Sequence, residues 1–192
     1  MRIISGTAKG RKLAGFKGDS IRPTSDRVRE AVFSSLMSQL GHFQGVKVLD
    51  LFAGTGAMAI EALSRGAESA LLVDHSRESG SLIANNLSAT GLTDKARFQS
   101  GKVASVLPRI NNKEPFNLIF LDPPYAEAEV EAIVASVIHC GLLHSDGIIC
   151  VETSSKLHLP DLIGSLVCSS RRQYGSTAVS FYHYADSGED VQ

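Results

Sequence analysis

Short, uninterrupted apolar runs alternate along this chain with longer stretches in which apolar residues recur every third or fourth position. Residues 46–51, 69–73, 96–99, 116–121 and 148–152 are brief and rich in Val, Leu, Ile and Phe, as expected of strands buried on both faces. Between them, 57–65, 76–90, 103–110 and 127–139 have helical spacing, and Ser76 stands where it would cap the second of these. Upstream, Val28, Val32, Leu36 and Leu40 fall at i+4 intervals after Arg22-Pro23-Thr24-Ser25-Asp26, predicting a helix capped by Thr24 or Ser25 with Asp26 in its first turn. The first twenty residues read as a short strand or hairpin broken by Gly6, Gly10, Gly15 and Gly18, and 166–174 with 178–184 read as two strands joined near Gly175. Regular βα alternation of this kind predicts an α/β fold. The expected architecture is a doubly wound, mostly parallel sheet of seven strands with right-handed crossovers, an antiparallel C-terminal strand and a small N-terminal hairpin and helix.

Length and composition narrow the picture. A chain of 192 residues, 43% hydrophobic and 20% charged, fits one α/β domain over 45–185, an N-terminal extension over 1–44 and a disordered tail over 186–192. No apolar stretch approaches the ~20 residues of a membrane helix, and no secretory h-region follows the first basic residues, so a cytoplasmic protein without membrane contact is expected. Cys140, Cys150 and Cys168 lack Cys-x-x-Cys spacing and the six histidines lack metal-ligand spacing; neither a disulfide framework nor a metal site is expected. A monomer is the default.

Charge is distributed unevenly. Residues 1–30 hold eight Lys and Arg against three Asp and Glu, although the whole chain carries only −1. A basic, glycine-punctuated arm on an acidic domain suits an edge that meets phosphates, and equally suits a solvated tail kept soluble by its charges.

Two motifs carry candidate chemistry. In the first, Val48-Leu49-Asp50-Leu51-Phe52-Ala53-Gly54-Thr55-Gly56 runs a strand into a glycine turn at the mouth of a helix, where backbone N–H groups are free to meet a ligand. Asp74 follows the next strand 18 positions after Gly56, near the offset at which an acidic side chain grips a ribose hydroxyl. Gly54 to Ala59 also matches the dinucleotide pattern G-x-G-x-x-A, but Asp50 would repel a pyrophosphate and would suit the ammonium of S-adenosylmethionine. In the second motif, Asp122-Pro123-Pro124-Tyr125 ends the apolar run 116–121. Consecutive prolines make a stiff corner with few donors. A carboxylate, a carbonyl and an aromatic face there suit a flat base with an exocyclic amine: Asp122 and the Pro123 carbonyl accept its N–H groups while Tyr125 stacks on the ring. The alternative for the second motif alone is an ordinary strand-ending turn with a packed tyrosine.

On these residues the chain resembles the RsmD-type family of 16S ribosomal RNA guanine-N2 methyltransferases, within the class I S-adenosylmethionine-dependent methyltransferases of Rossmann-like fold. The resemblance rests on Arg2-Ile3-Ile4-Ser5-Gly6 with Gly10-Arg11, on residues 22–30, on Asp50 to Gly56, on Asp122 to Tyr125, and on Tyr174-Gly175-Ser176-Thr177-Ala178. It implies methyl transfer from S-adenosylmethionine to the exocyclic amine of one guanine in 16S RNA, free or within a small-subunit assembly intermediate. It further implies that Asp122, Pro123 and Tyr125 take the base, that Asp50, Phe52, Gly54 and Gly56 line the methionine part of the cofactor, and that Asp74 holds the ribose. Ser100 or nearby backbone would read the adenine, because Ser100-Gly101-Lys102 stands where relatives often carry an acidic or amide side chain. Thr24 and Arg27 would meet the cofactor's carboxylate. Arg2, Lys9, Arg11, Lys12, Arg22, Arg171 and Arg172 would contact RNA through phosphates. Other readings are an adenine-N6 methyltransferase with the same pocket logic and an RNA-binding protein that keeps the fold without catalysis.

Overall fold

The computed structural model describes residues 1–16, 26–110, 114–123 and 127–185. The elements follow the alternation of the sequence: α1 (Asp26–Leu40), β1 (Lys47–Leu51), α2 (Ala57–Ser64), β2 (Ser69–Asp74), α3 (Arg77–Thr90), β3 (Ala96–Ser100), α4 (Val103–Val106), β4 (Phe116–Leu121), α5 (Glu127–His139), β5 (Leu143–Ser154), β6 (Leu162–Ile163), β7 (Leu166–Tyr174) and β8 (Thr177–Tyr184). They build one sheet in the order β3-β2-β1-β4-β5-β8-β7-β6. Strands β1 to β5 run parallel to their neighbours, and β8, β7 and β6 extend the sheet antiparallel. The sheet has eight strands rather than the expected seven. The extra one, β6, is two residues long, too short to leave an alternating pattern in a sequence.

Local chemistry sets several boundaries. Ser76 caps α3, its hydroxyl accepting from Ser79 N–H, and Gly91 ends the helix in the left-handed conformation. The helix expected over 103–110 is one α turn followed by a 3₁₀ turn over Leu107–Arg109, where Pro108 withdraws a backbone donor. At the N-terminus the expected hairpin reduces to a single antiparallel bridge between Arg2 and Lys12. The candidate caps Thr24 and Ser25 lie outside the described residues.

Alternation along the strands sends side chains to two cores. One face, with Val48, Leu72, Leu118, Phe120, Cys150, Val179 and Phe181, packs against α1, α2, α3 and the N-terminal residues Ile3, Ala8 and Leu13. The other, with Leu49, Leu51, Ile119, Leu121, Val151 and Tyr182, packs against α4 and α5.

The N-terminal residues are fastened to α2 by polar groups that helical periodicity alone would assign to solvent. Glu61 is fully buried, and its carboxylate accepts the N–H groups of Ile4 at 2.8 Å and Ser5 at 3.0 Å. It also receives Arg65 Nε at 2.8 Å and lies 3.9 Å from Arg29 Nε. One turn on, the Ser64 hydroxyl donates to Ser5 C=O and accepts from Ala8 N–H, while Ser64 C=O accepts from Thr7 N–H. Arg29, buried on α1, donates to Arg2 C=O and to Asp26, so three segments meet on one charge pair. The approach is close enough to require glycine at position 6: its φ is +83°, and a Cβ there would fall 1.8 Å from Ser64 O. Removing the carboxylate would orphan two backbone donors and a buried guanidinium. Glu61→Ala should therefore cost about 3–5 kcal/mol of stability by denaturant unfolding and expose residues 1–16 to proteolysis.

Candidate functional site

Sheet order places the switch point between β1 and β4, whose connections leave in opposite directions, and a crevice opens beyond their carboxyl ends. Both sequence motifs stand there. Asp50 pairs with Phe120 and Leu51 with Leu121, so Phe52 and Asp122 are the first residues past the paired rungs on neighbouring strands. Asp50 and Asp122 project from the same face, roughly 8 Å apart along and across the sheet.

The glycine turn is shaped by backbone strain and by two carboxylates. Phe52 has φ +62°, an uncommon conformation for a residue with a bulky side chain and one that costs of order 1–3 kcal/mol. Gly56 has φ +77°, and a Cβ there would stand 3.0 Å from Leu72 Cδ2 and 3.2 Å from Ile83 Cγ1. Gly56 is also the N-cap of α2 and offers no capping side chain. Asp50 caps from the strand instead, its Oδ2 accepting from Ala59 N–H at 3.1 Å. Burial pushes its carboxyl up to about 7, the Ala59 bond pulls it down and Asp74 raises it further. Asp74 spans the turn, accepting from Gly54 N–H at 2.9 Å and from Ser76 N–H at 2.8 Å. Each of its oxygens keeps a second lone pair for a hydroxyl.

Asp122 is reached by solvent although protein crowds it. Its carboxyl is pushed upward by that crowding, then by Glu152 and by Asp50. Water at the carboxyl weakens the first cause. The adjoining carboxylates supply the part that survives, and the negative field they share favours a cationic guest. Pro123 is buried beside it; Pro124 and Tyr125 lie outside the described residues.

The other predicted residues scatter. Ser100 ends β3 opposite Asp74 and is exposed, while Gly101 N–H donates to Asp74 C=O. A cleft enclosing about 290 Å³ of space, open solvent included, is lined by Phe52, His75, Gly101, Lys102 and Val103. His75 and Lys102 were not anticipated there, and the walls next to Asp74 are backbone and neighbouring side chains rather than Ser100. Arg27 is exposed on α1, and Thr24 and Arg22 lie outside the described residues. Of the basic residues, Lys9, Lys12 and Arg172 are exposed, Arg2 pairs with Asp26 at 3.6 Å and Arg11 donates to Ala89 C=O at 2.9 Å.

Arg171 and Arg172 part company. Arg171 pairs with Ser180 in the sheet and spends its donors on Leu159 C=O, Asp161 and the Ser180 hydroxyl. Arg172 pairs with Val179, which lies on the face of Asp50 and Asp122. A register shift between Cys168 and Ser170 decides which arginine faces the crevice, because one extra residue reverses the alternation.

Asn86 is a residue that sequence reasoning missed. Buried on α3, it donates to Thr55 C=O at 2.9 Å and Ala14 C=O at 3.1 Å and accepts from Ala14 N–H at 2.7 Å. The N-terminal residues and the glycine turn are thus joined through one amide.

The family model described as Conserved hypothetical protein 95 matches residues 1–183. The chain belongs to that family. It is 33% identical over 189 residues to ribosomal RNA small subunit methyltransferase D of Escherichia coli strain K12, covering 98% of this chain and 92% of that protein. A solved structure of a hypothetical protein from Thermus thermophilus matches with TM-score 0.79 at 30% identity, over 95% of this chain and 99% of that one. The rRNA methyltransferase AviRa of Streptomyces viridochromogenes shares the fold, with TM-score 0.67 at 14% identity over 86% of this chain and 87% of that one.

Asn86→Ala would leave Ala14 and Thr55 without their side-chain partners. It should lower stability by about 1–3 kcal/mol and speed hydrogen exchange at Ala14 together with that of the glycine turn.

Proposed function

We propose that this protein transfers a methyl group from S-adenosylmethionine to the exocyclic N2 amine of a guanine in 16S ribosomal RNA, in the cytoplasm and on free RNA or a small-subunit assembly intermediate. The observation that carries the reading is the rung-by-rung pairing of β1 with β4, which brings Asp50 and Asp122 to one crevice. The similarity to the small-subunit methyltransferase supports the class of substrate.

The donor set suits the cofactor. Asp50 and Asp74 give negative charge and hydroxyl acceptors, Gly54 and Gly56 permit close approach, and the Phe52 and Gly101–Val103 cleft offers room for a base. When bound, S-adenosylmethionine supplies an electrophilic methyl carbon. The protein's part is alignment and exclusion of water. Asp122 and the Pro123 carbonyl accept the two N2 hydrogens, which turns the amine lone pair out of conjugation with the ring and toward the methyl group. Asp122 need not remove a proton beforehand, because the methylated amine is far more acidic. Tyr125 stacks on the base, and Asp50 meets the ammonium. Thr24 and Arg27 stand toward its carboxylate. Lys9, Lys12, Arg2, Arg11, Arg22 and Arg172 hold phosphates, and Arg171 contributes by bracing the β7 edge.

Incubation with labelled S-adenosylmethionine and small-subunit RNA or particles, followed by nucleoside analysis, should yield N2-methylguanosine; N6-methyladenosine would refute the choice of base. Asp122→Ala should lower the rate by about 10² to 10³ or more while calorimetry shows cofactor affinity nearly unchanged.

The elevated Asp50 carboxyl makes cofactor binding depend on pH. Free Asp50, at about 7 rather than the ordinary ~3.9, is largely protonated between those values, and a bound ammonium draws it back to the carboxylate. Binding should release a proton and tighten as pH rises from about 5 to 7, then level off. Titration calorimetry in buffers of different ionisation enthalpy reads this directly, and Asp50→Asn should abolish it.

A further inference from the structure

Two rungs of the β4–β5 ladder, Phe120 with Cys150 and Leu121 with Val151, fix what comes next: Asp122 on β4 stands beside Glu152 on β5. The parity of the strands gives both the same face, shared with Asp50, because Phe120 and Cys150 beneath them lie in the core on that side. Neighbouring strands run about 4.8 Å apart, so the two carboxylates can lie along one edge of one small guest. Glu152 is held by a ladder that continues on its far side through its pairing with Val179, and it is half-buried. A side chain on a doubly paired strand keeps its place better than one on a loop.

Glu152 is also, after crowding, the main cause that raises the Asp122 carboxyl, as expected of two groups that feel each other. Nothing in the transfer of a methyl group to an amine needs a second carboxylate beside Asp122. Its chemistry matches a different atom of the base. On the pairing edge of guanine the N1–H donor adjoins the N2 amine, so the edge offers donors side by side. Adenine presents a bare acceptor at N1. A carboxylate there would face it lone pair to lone pair.

We propose that Glu152 is a specificity-determining residue that accepts the guanine N1–H while Asp122 and the Pro123 carbonyl hold the N2 amine. This rests on the guanine-N2 reading given above and adds to it the residue that selects the base.

The test uses the full-length protein and an RNA carrying either guanosine or 2,6-diaminopurine at the mapped target position. Diaminopurine keeps the N2 amine and replaces the N1–H by a lone pair. The wild type should prefer guanosine in kcat/KM by about 10-fold to 100-fold, as expected when a buried hydrogen bond is replaced by two opposed acceptors. Glu152→Gln, whose amide can donate to that lone pair, should narrow the ratio by about 10-fold, mostly by gaining on diaminopurine. Equal use of both bases by the wild type overturns the proposal without recourse to any variant, and so does a parallel loss on both bases in Glu152→Gln. If the wild type forms no N2-methylguanosine at all, the guanine-N2 reading itself falls and takes this one with it.

Discussion

A single buried carboxylate, Glu61, organises the half of the molecule that the central sheet alone would leave loose. Burying a charge is expensive unless it is paired and hydrogen-bonded, and Glu61 meets that condition with two backbone N–H groups, Arg65 and the nearby Arg29. Its partners come from α1, α2 and the first five residues, so those segments dock together or not at all. Each brings something the others need: α1 carries the guanidinium, the N-terminal residues carry the donors, and α2 carries the acceptor on the helix that the glycine turn opens. The Asn86 amide closes a second link, between Ala14 and Thr55.

That arrangement has a consequence for the crevice. The glycine turn is strained at Phe52 and tight at Gly56, and strain persists only where the surroundings over-determine the backbone. Asp50 from below, Asp74 from the side and Asn86 from α3 supply that constraint through hydrogen bonds to Ala59, Gly54, Ser76 and Thr55. The same carboxylates that hold the turn also set the field inside the crevice. Asp50, Asp122 and Glu152 on three adjoining strands raise one another's affinity for protons, and a cation relieves that repulsion. Structural support and electrostatic preference for a positively charged ligand therefore come from one set of groups.

The antiparallel end of the sheet contributes by a different route. The irregularity near Ser169 turns Arg172 to the crevice face and commits Arg171 to the opposite one, where it braces Leu159 and Asp161. With Lys9 and Lys12 exposed on the N-terminal residues, cations flank an acidic centre. A polyanion can then be held at its phosphates while only a neutral base enters between the carboxylates.

Much of this was written in the chain. Strand and helix order, the Ser76 cap, the glycine turn and the acidic residues at 50, 74 and 122 were legible, because period, capping and turn chemistry act over a few residues. So was the shared crevice, since right-handed crossovers leave few ways to arrange parallel strands. What local pattern could not show were polar residues whose partners lie far along the chain. Glu61, Ser64 and Asn86 look like solvent-facing helix positions until segments some 56 to 72 residues earlier fold over them. The eighth strand was too short to register, and the two arginines at 171 and 172 were indistinguishable until one unpaired residue reversed the alternation. Glu152 likewise read as the end of a strand; only the lateral pairing of β4 with β5 set it beside Asp122. The sequence by itself determined which elements form and what chemistry each strand end offers, because those depend on neighbours in the chain. Tertiary structure decided which buried charges find partners and which side chains share an edge, because sheet register and helix docking join residues that the chain keeps apart.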